Sequence, residues 1–256
     1  MAKQKLVLIG NGMAGIRTIE EILERSDSTF DITVIGKEPY PNYNRIMLSN
    51  ILQNKMTIDD TIMNPFDWYK AHDINLIIDD PVEHVNREGQ YVVTSKGLTV
   101  SYDICIFATG SSAFVLPIPG ADLPSVIGWR TIKDTEQMMT IAQTKKRAVV
   151  IGGGLLGLEC ARGLLDQGME VTVLHLADWL MEMQLDAKAG ALLKADLEQQ
   201  GMKIELQANS QEIIGQDDVE AIKLADGRVI ETDLIVMAVG IRPYVQVARD
   251  AGLEVN

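Results

Sequence analysis

The chain has 256 residues, 46% of them hydrophobic and 23% charged, which is the composition of an ordinary globular protein. This length suffices for a large buried core and is compatible with two domains. The net charge of −13 argues against protein classes that need a basic surface, namely those that bind nucleic acid or anionic membranes. We therefore expect neither nucleic acid nor a membrane among the partners.

The sequence contains no candidate for a membrane span or a signal peptide. No window approaches the ~18 apolar residues of a spanning helix, and the segment Met1 to Lys5 leads into only four apolar residues before a glycine. Cys105 and Cys160 fall in a predicted strand and a predicted helix, with no pairing pattern. Together these features predict a cytoplasmic protein with reduced thiols.

The first glycine motif directly follows an apolar run, Leu6 to Ile9, that predicts a β-strand. Its glycines, Gly10, Gly12 and Gly15, have the spacing G-x-G-x-x-G, and a helical pattern begins at Met13. In a dinucleotide-binding unit these glycines allow a tight turn, the approach of a pyrophosphate to the backbone, and close packing of helix on strand. Taken alone, the motif is also compatible with a tight turn that binds no ligand.

The β-branched run Asp31 to Ile35 predicts the second strand of this βαβ unit. An acidic residue usually follows such a strand and binds the ribose hydroxyls, but Gly36 occupies that position. Glu38 is our candidate for the role, with a solvated loop carboxylate as the alternative. Arg45 follows two prolines and is interpreted either as a second phosphate clamp or as a structural salt-bridge partner.

The rest of the first half predicts mainly short strands. A capped surface helix is expected over 64–69, and strands are expected over 74–78, 82–85, 91–94 and 98–100, with a turn of an antiparallel ribbon at 86–89. A strand within 101–110 closes this half. The segment Leu116 to Gly120 contains two prolines and predicts the crossover to a second domain.

The same pattern recurs in the second half of the chain. After a predicted helix over 132–144, the apolar run Arg147 to Ile151 leads into a second G-x-G-x-x-G motif at 152–157. In both halves an aspartate precedes a closing strand that ends in Ala-x-Gly, at 103–110 and at 233–240. Two glycine motifs with matching closing strands predict two dinucleotide-binding units in tandem.

The second motif is followed by further alternating elements. The sequence predicts helices over 155–165 and 185–199, and strands over 170–174 and around residues 204, 213 and 222. His175 closes the first of these strands, where an acid would favour NAD. Two interpretations of His175 stay open, a position near the adenosine ribose and a solvated loop histidine.

A resemblance to a known family rests on four segments in a fixed order: the two glycine motifs, Ala108 to Gly110 and Val239 to Pro243. Together they resemble the FAD-dependent pyridine nucleotide–disulfide oxidoreductase superfamily. Segments 10–15, 41–46 and 173–176 look like the flavoprotein part of assimilatory NAD(P)H-nitrite reductase large subunits and the related nitrate reductase electron-transfer subunit.

The resemblance implies an α/β fold with two tandem Rossmann-like domains, the second inserted in the first, each with a small antiparallel β ribbon. It places an FAD-binding domain at 1–115, an NAD(P)-binding domain at 116–241, and the start of a return to the FAD domain at 242–256.

The resemblance also implies which residues contact the cofactors, FAD and NAD(P)H. We expect FAD at Gly10, Gly12, Gly15, Glu38, Arg45 and Thr109, and the NAD(P)H pyrophosphate at Gly152, Gly154 and Gly157. Further cofactor-binding positions are Met13, Ala14, Lys37, Val82, Ala108, Gly110, Leu155, Leu156, Glu159, His175 and Gly240. No side chain is assigned as a catalytic acid or base, and none as a metal ligand.

The sequence departs from the superfamily pattern in three places. The region 42–50 lacks the redox cysteines of the disulfide reductases, so thiol redox chemistry is not expected. Glu159 matches a glutamate that pairs with a lysine near the flavin, but Asn50 stands near that lysine's place. The chain also ends before a flavin-closing strand and lacks cysteine clusters for iron–sulfur and sirohaem groups, so we expect a piece of a longer protein.

The resemblance therefore implies an electron-entry module, which passes hydride from NAD(P)H to FAD and electrons on to Fe–S and sirohaem centres outside this chain. Its expected partners are the nicotinamide nucleotide and either downstream redox domains or a small nitrite reductase subunit. The alternatives are a stand-alone NADH oxidase or rubredoxin-type reductase, and a fragment that binds nucleotide without holding FAD. The residues leave both NADH and NADPH open as donors.

Overall fold

The computed structural model describes residues 3–26 and 29–255. Residues 1 and 2, which belong to the N-terminal segment in which no signal peptide was predicted, lie outside the described residues. So does residue 256, the last of the predicted return segment. The chain divides into two compact units. One comprises Met1–Arg45, Thr61–Ser111 and Pro243–Asn256, and the other comprises Ile46–Asp60 and Ser112–Arg242.

The strands and helices follow one another along both units. The strands are β1 (Gln4–Ile9), β2 (Phe30–Ile35), β3 (Asn42–Tyr43), β4 (Ile62–Asn64), β5 (Asn75–Ile77), β6 (Val82–Asn86), β7 (Tyr91–Thr94), β8 (Thr99–Ser101), β9 (Ile104–Phe107), β10 (Ser111–Ala113), β11 (Val126–Gly128), β12 (Arg147–Ile151), β13 (Glu170–Leu174), β14 (Lys203–Glu205), β15 (Ser210–Ile214), β16 (Ala221–Leu224), β17 (Val229–Glu231), β18 (Leu234–Met237) and β19 (Ile241–Pro243). The helices are α1 (Met13–Ser26), α2 (Leu48–Leu52), α3 (Phe66–Ala71), α4 (Ile132–Ala142), α5 (Leu155–Asp166), α6 (Ala187–Gln199) and α7 (Gln246–Asp250). In the part of the chain that the structure describes, no helix is both long and apolar enough to cross a bilayer.

Each unit is built on a parallel sheet, and the four strands of the first sheet have counterparts in the same order in the second, which has β11 as an additional edge strand. The first sheet has the order β5-β2-β1-β9, and the second has the order β11-β18-β12-β13-β14. Each unit also contains a three-stranded antiparallel ribbon, β6-β7-β8 or β15-β16-β17. The predicted α/β class with two Rossmann-like units is confirmed.

Both glycine motifs leave the sheet at equivalent places. The first follows β1 and the second follows β12, and these are the strands at which the chain order of each sheet reverses. Ligands of doubly wound sheets bind outside the carboxyl ends of the strands at this reversal point. The topology therefore positions each glycine turn where a nucleotide site is expected.

The core of the first unit follows from the two-residue period of β1. Leu6 and Leu8 pack with Ile16 of α1 on one face of the sheet. Val7 and Ile9 pack on the other face, in a cluster that includes buried residues of the ribbon strands β6 and β7. Helix and ribbon thus cover opposite faces, which explains why this parallel strand is apolar at consecutive positions.

The segment 46–60, which sequence analysis places in the first domain, groups with the second unit. Its helix α2 contacts α5 closely, because a Cβ built on Gly163 would lie 2.6 Å from Leu52 Cγ. Gln167 Nε2 also donates a hydrogen bond to the Leu52 carbonyl at 2.6 Å. These contacts between α2 and α5 account for the grouping.

Two predicted elements of the first half differ in the structure. The helix predicted over 64–69 begins at Phe66, and its N-cap residue, Pro65, makes no side-chain hydrogen bond because proline offers no side-chain acceptor. Asn64 instead ends β4, and its Nδ2 donates to Glu20 Oε1 at 2.9 Å. The strand predicted over 74–78 pairs in parallel with β2 and does not belong to the antiparallel ribbon.

An aspartate before each closing strand accepts a hydrogen bond from the start of the strand that leads into the glycine motif of the same unit. Asp103 Oδ2 accepts the backbone N–H of Lys5 at 2.7 Å, and Asp233 Oδ2 accepts that of Arg147 at 2.9 Å. The Arg147 guanidinium also pairs with Asp233, with 3.1 Å between Nη2 and Oδ1. The repeated aspartate is therefore a structural feature of both units.

We expect Asp233→Asn to lower the free energy of unfolding by about 1–2 kcal/mol, because a partly buried charged acceptor is lost. The hydrogen bond from Arg147 holds the Asp233 pKa below the ordinary value of 3.8. Its contribution is thus present above pH 3.8 and is lost as the pH falls through the folded-state pKa. Urea unfolding curves of the wild type and the variant should differ at neutral pH and converge in acid.

Glu231→Gln is the matched control for this variant. Glu231 pairs with the same arginine, but its side chain is 78% exposed, so its removal should change stability little. An equal loss of stability in both variants would contradict the structural role assigned to Asp233.

Candidate functional site

The first glycine turn joins β1 to α1. Gly10 has a φ of +113°, and a Cβ there would lie 2.1 Å from the Ala108 carbonyl oxygen. A Cβ at Gly15 would lie 2.9 Å from the Gly10 carbonyl oxygen, whereas a Cβ at Gly12 would meet no described atom within 4 Å. The fold thus requires the first and third glycines, and the second leaves open space at the helix N-terminus, as the approach of a pyrophosphate would need.

A hydrogen-bond network that sequence analysis missed supports this turn. Asn11 lies just before Met13 and Ala14, the first residues of α1. The Tyr69 hydroxyl donates to Asn11 Oδ1 at 2.7 Å and accepts the backbone N–H of Asn42 at 3.2 Å. Asn42 Nδ2 donates to the Asn11 carbonyl at 3.2 Å. Burial raises the pKa of Tyr69 to about 12, so its hydroxyl remains a donor at neutral pH.

Two predicted cofactor residues of the first unit, Glu38 and Arg45, form an ion pair. Arg45 Nη2 lies 2.6 Å from Glu38 Oε1, and the Tyr43 hydroxyl donates to Glu38 Oε2 at 2.8 Å. The Glu38 side chain is only 20% exposed, so its interpretation as a solvated loop carboxylate was wrong. Arg45 is a salt-bridge partner in this structure, and a carboxylate with about four lone-pair sites can still accept from a ribose.

Tyr244 connects further predicted residues of the first unit. Lys37 Nζ donates to the Tyr244 hydroxyl at 2.6 Å, and Thr109 Oγ1 donates to the Tyr244 carbonyl at 2.7 Å. The Tyr244 N–H donates to the Gly110 carbonyl at 2.9 Å. The side chain of Val82, by contrast, is buried in the core cluster between sheet and ribbon.

The second glycine turn repeats the geometry of the first. Gly152 has a φ of +117°, and a Cβ there would lie 2.4 Å from the Ala238 carbonyl oxygen. A Cβ at Gly157 would lie 1.9 Å from the Gly152 carbonyl oxygen, whereas one at Gly154 would meet no described atom within 4 Å. Gly154 is also the N-cap of α5, so no side chain of the N-cap residue binds the first N–H groups of this helix.

A cavity of about 560 Å³ opens beside the second turn, within the second unit, and this volume is typical of small-molecule sites. It is lined by Leu116, Ile118, 151–155, 174–176, 182–184, 208–210, Ala238 and Val239. Of the cofactor-binding residues predicted in this unit, the cavity is lined by Gly152, Gly154, Leu155 and His175. Four others do not belong to its described lining: Leu156, Gly157, Glu159 and Gly240. Ser210 Oγ is buried without a hydrogen-bond partner in the described residues, so the wall contains one unsatisfied polar atom.

His175 is 6% exposed, so its interpretation as a solvated loop histidine was wrong. Its Nδ1 accepts the backbone N–H of Gly153 at 3.0 Å, and its Nε2 lies 3.0 Å from the Trp179 carbonyl and 2.9 Å from Glu182 Oε2. Because Nδ1 is an acceptor, the ring proton lies on Nε2. The loop after β13 folds back over the imidazole ring. This tertiary contact buries His175 and is not visible from its position in the sequence.

Glu159 lies in α5 and contacts the segment that contains Asn50. Burial raises the pKa of this carboxyl, and a hydrogen bond from Ser49 lowers it in part. Asn50 Nδ2 lies 3.3 Å from Met47 Sδ and 3.5 Å from Met56 Sδ. Glu159 is thus influenced by Ser49, and the Asn50 amide contacts two methionine sulfur atoms.

The two thiols are free and are not exposed. Burial raises the pKa of Cys105 to about 11, and it also raises the pKa of the fully buried Cys160. Both groups are therefore protonated at neutral pH, in which form thiols are poor nucleophiles.

Comparisons with known proteins identify close relatives over the full chain. The family model described as pyridine nucleotide-disulphide oxidoreductase matches residues 4–256. The chain is 52% identical to the nitrite reductase [NAD(P)H] of Bacillus subtilis (strain 168) and 47% identical to the assimilatory nitrate reductase electron transfer subunit of the same organism, in each case over 100% of this chain. These alignments cover 32% and 33% of the two relatives, so the chain spans about a third of their length.

A solved structure gives the same result for the fold. The ferredoxin reductase for the CYP199A2 system from Rhodopseudomonas palustris superposes with a TM-score of 0.91 at 28% identity, covering 99% of this chain and 63% of that one. The resemblance that the glycine motifs predicted is confirmed.

Proposed function

The chain belongs to the pyridine nucleotide-disulphide oxidoreductase family, and on this premise we propose that it is the NAD(P)H-dependent flavoprotein module of a nitrite reductase. It passes hydride from NAD(P)H to FAD and electrons on to Fe–S and sirohaem centres outside this chain. The observation that carries the proposal is the pair of glycine turns at equivalent places in two sheets, each with its second glycine open.

The first unit is proposed to hold FAD. Gly12 leaves room for a pyrophosphate at the N-terminus of α1, where the helix dipole favours an anion. Glu38, kept in place by Arg45 and Tyr43, accepts hydrogen bonds from the ribose hydroxyls, and Thr109 lies two residues beyond the end of β9. The fit rests on this open space and on a carboxylate that retains unused acceptor sites.

The second unit is proposed to bind the nicotinamide nucleotide in the cavity beside Gly152 and Gly154. Open space at Gly154, uncapped N–H groups of α5 and the unsatisfied Ser210 hydroxyl all suit a phosphate-bearing ligand. When bound, the flavin and nicotinamide supply the hydride chemistry, and the protein supplies binding and orientation. No side chain of this chain is required as a proton donor or acceptor.

The relatives and the thiols support this branch of the family. The nitrite and nitrate reductase relatives are the most informative of those compared, because their identity of 52% and 47% extends over the whole chain. Both cysteines are free thiols, which are already reduced, so neither provides a disulfide that could accept electrons from the flavin. Redox domains outside this chain, or a small nitrite reductase subunit, are the proposed acceptors.

Steady-state turnover of the purified 256-residue chain, loaded with FAD, tests the proposal. NADH or NADPH should reduce ferricyanide, a one-electron acceptor, whereas nitrite should not be consumed, because its reduction is assigned to centres outside this chain. A preparation without FAD is the control and should show no turnover. FAD-loaded protein that reduces no acceptor would contradict the proposal, and a chain that binds nucleotide but never FAD would support the fragment alternative.

A further inference from the structure

The cavity of the second unit has an acidic wall at a position that the sequence pattern did not indicate. The acid expected directly after β13 is replaced by His175, and no Lys or Arg is present among the described residues that line the cavity. Glu182, in the loop that follows, is the carboxylate in this lining. It lies seven residues beyond His175 in sequence but is brought back to the imidazole by the fold.

Hydrogen bonds hold Glu182 at this wall. His175 Nδ1 is engaged by the Gly153 N–H, so Nε2 carries the proton and donates toward Glu182 Oε2 at 2.9 Å and toward the Trp179 carbonyl at 3.0 Å. The imidazole thereby connects the glycine turn to the carboxylate. Oε1 of Glu182 has no hydrogen bond in the described part of the chain, and the side chain is 36% exposed.

We propose that Glu182, positioned by His175, accepts the adenosine ribose hydroxyls and makes the second unit select NADH over NADPH. This inference rests on the proposed nucleotide site. A carboxylate accepts hydrogen bonds from two vicinal hydroxyls, and this is the role of the acid in NAD-binding sites. A 2′-phosphate brings about two negative charges against the same carboxylate, with no lining cation to offset them.

The predicted selectivity can be measured without flavin or turnover. Isothermal titration calorimetry of the 256-residue chain would compare ADP-ribose with 2′-phospho-ADP-ribose, which differ only in the 2′-phosphate. We expect the wild type to bind ADP-ribose at least about tenfold more tightly, the effect of one hydrogen bond to a charged group. Glu182→Gln should weaken ADP-ribose binding and so reduce the ratio of the two affinities. Glu182→Arg should make 2′-phospho-ADP-ribose the more tightly bound ligand.

Two controls separate positioning from general damage. Glu198→Gln removes another acid of the same unit, which pairs with Lys194 outside this cavity, and should leave the ratio unchanged. His175→Phe should reduce the ratio of the two affinities in a protein whose second unit is shown by thermal melting to be folded, because Glu182 loses its hydrogen-bond donor.

Equal affinity for both ligands in the wild type, or an unchanged ratio in Glu182→Gln, would overturn the assignment of Glu182 while leaving the nucleotide site in place. Binding of neither ligand would overturn the nucleotide site itself, and the assignment with it. Selective binding in a protein that transfers no electrons would contradict the proposed function alone.

Discussion

Replacing Gly157 with alanine should destabilise the second unit by about 3 kcal/mol, at the upper end of the range for overpacking. The new Cβ would lie 1.9 Å from the Gly152 carbonyl oxygen and 3.4 Å from Ala238 Cβ. Backbone atoms of a tight turn cannot move aside as a flexible side chain can, so β12 and α5 must separate. Thermal or urea unfolding should show the loss, and nucleotide binding should fall with it.

Gly154→Ala is the matched variant in the same turn and should behave in the opposite way. Its Cβ would meet no described atom within 4 Å, and the φ of −84° suits alanine, so stability should change by about 1 kcal/mol or less. The affinity for NADH should nevertheless fall about tenfold or more, because the methyl group fills the space in which a pyrophosphate approaches. Unchanged NADH affinity in a folded Gly154→Ala protein would place the pyrophosphate elsewhere.

Tyr69→Phe should weaken FAD binding about tenfold and lower the free energy of unfolding by about 1–3 kcal/mol. The change leaves Asn11 Oδ1 and the Asn42 N–H without their buried partner. Asn11 lies between Gly10 and Gly12, two of the glycines at which FAD is proposed to bind, so loss of its hydrogen bond should disorder that turn. Equilibrium titration with FAD and chemical unfolding of the same preparation would measure both effects.

Tyr91→Phe is the control for the tyrosine variant. Its hydroxyl accepts a hydrogen bond from Asn86 Nδ2 at 3.1 Å in the antiparallel ribbon, away from the glycine turn. The Tyr91→Phe substitution also removes a tyrosine hydroxyl, but it should leave the affinity for FAD unchanged. A parallel loss of FAD affinity in both variants would show that general loosening of the unit, and not the support of Asn11, is responsible.

The long apolar elements were predictable because their physical signals are local. The strand over Arg147–Ile151 and the strand over Glu170–Leu174 have the predicted bounds, since each is a largely apolar and mostly buried run. The glycine spacing predicted the two turns for a related reason. Positive φ at Gly10 and Gly152 and close backbone approach at Gly15 and Gly157 allow no side chain.

Elements that depend on distant contacts were not predictable in the same way. Helix α2 has five residues and is defined by its packing against Gly163. The burial of His175 follows from the loop that returns to it, and a single sequence does not show this. Asn11 and Tyr69 are 58 positions apart, so their hydrogen bond becomes visible only in the folded chain.

The residues of the candidate sites also differ in whether a local sequence pattern could identify them. The glycines could be assigned from spacing, because their requirement is a property of the backbone. A salt bridge was one of the two open interpretations of Arg45, whereas neither interpretation of Glu38 included an ion pair. Only the structure brings the atoms of the two side chains to 2.6 Å. The sequence did not predict a role for Glu182, because this residue does not directly follow the strand, where the ribose-binding acid is normally found.

The most direct test of electron entry is the absorbance of oxidised flavin in the FAD-loaded, 256-residue chain after anaerobic addition of one equivalent of NADH. We predict that the flavin absorbance is lost at a rate that saturates with NADH concentration, and that Gly154→Ala shifts the saturation to higher concentrations. An unchanged flavin spectrum in a protein shown by titration to hold both FAD and NADH would contradict the account.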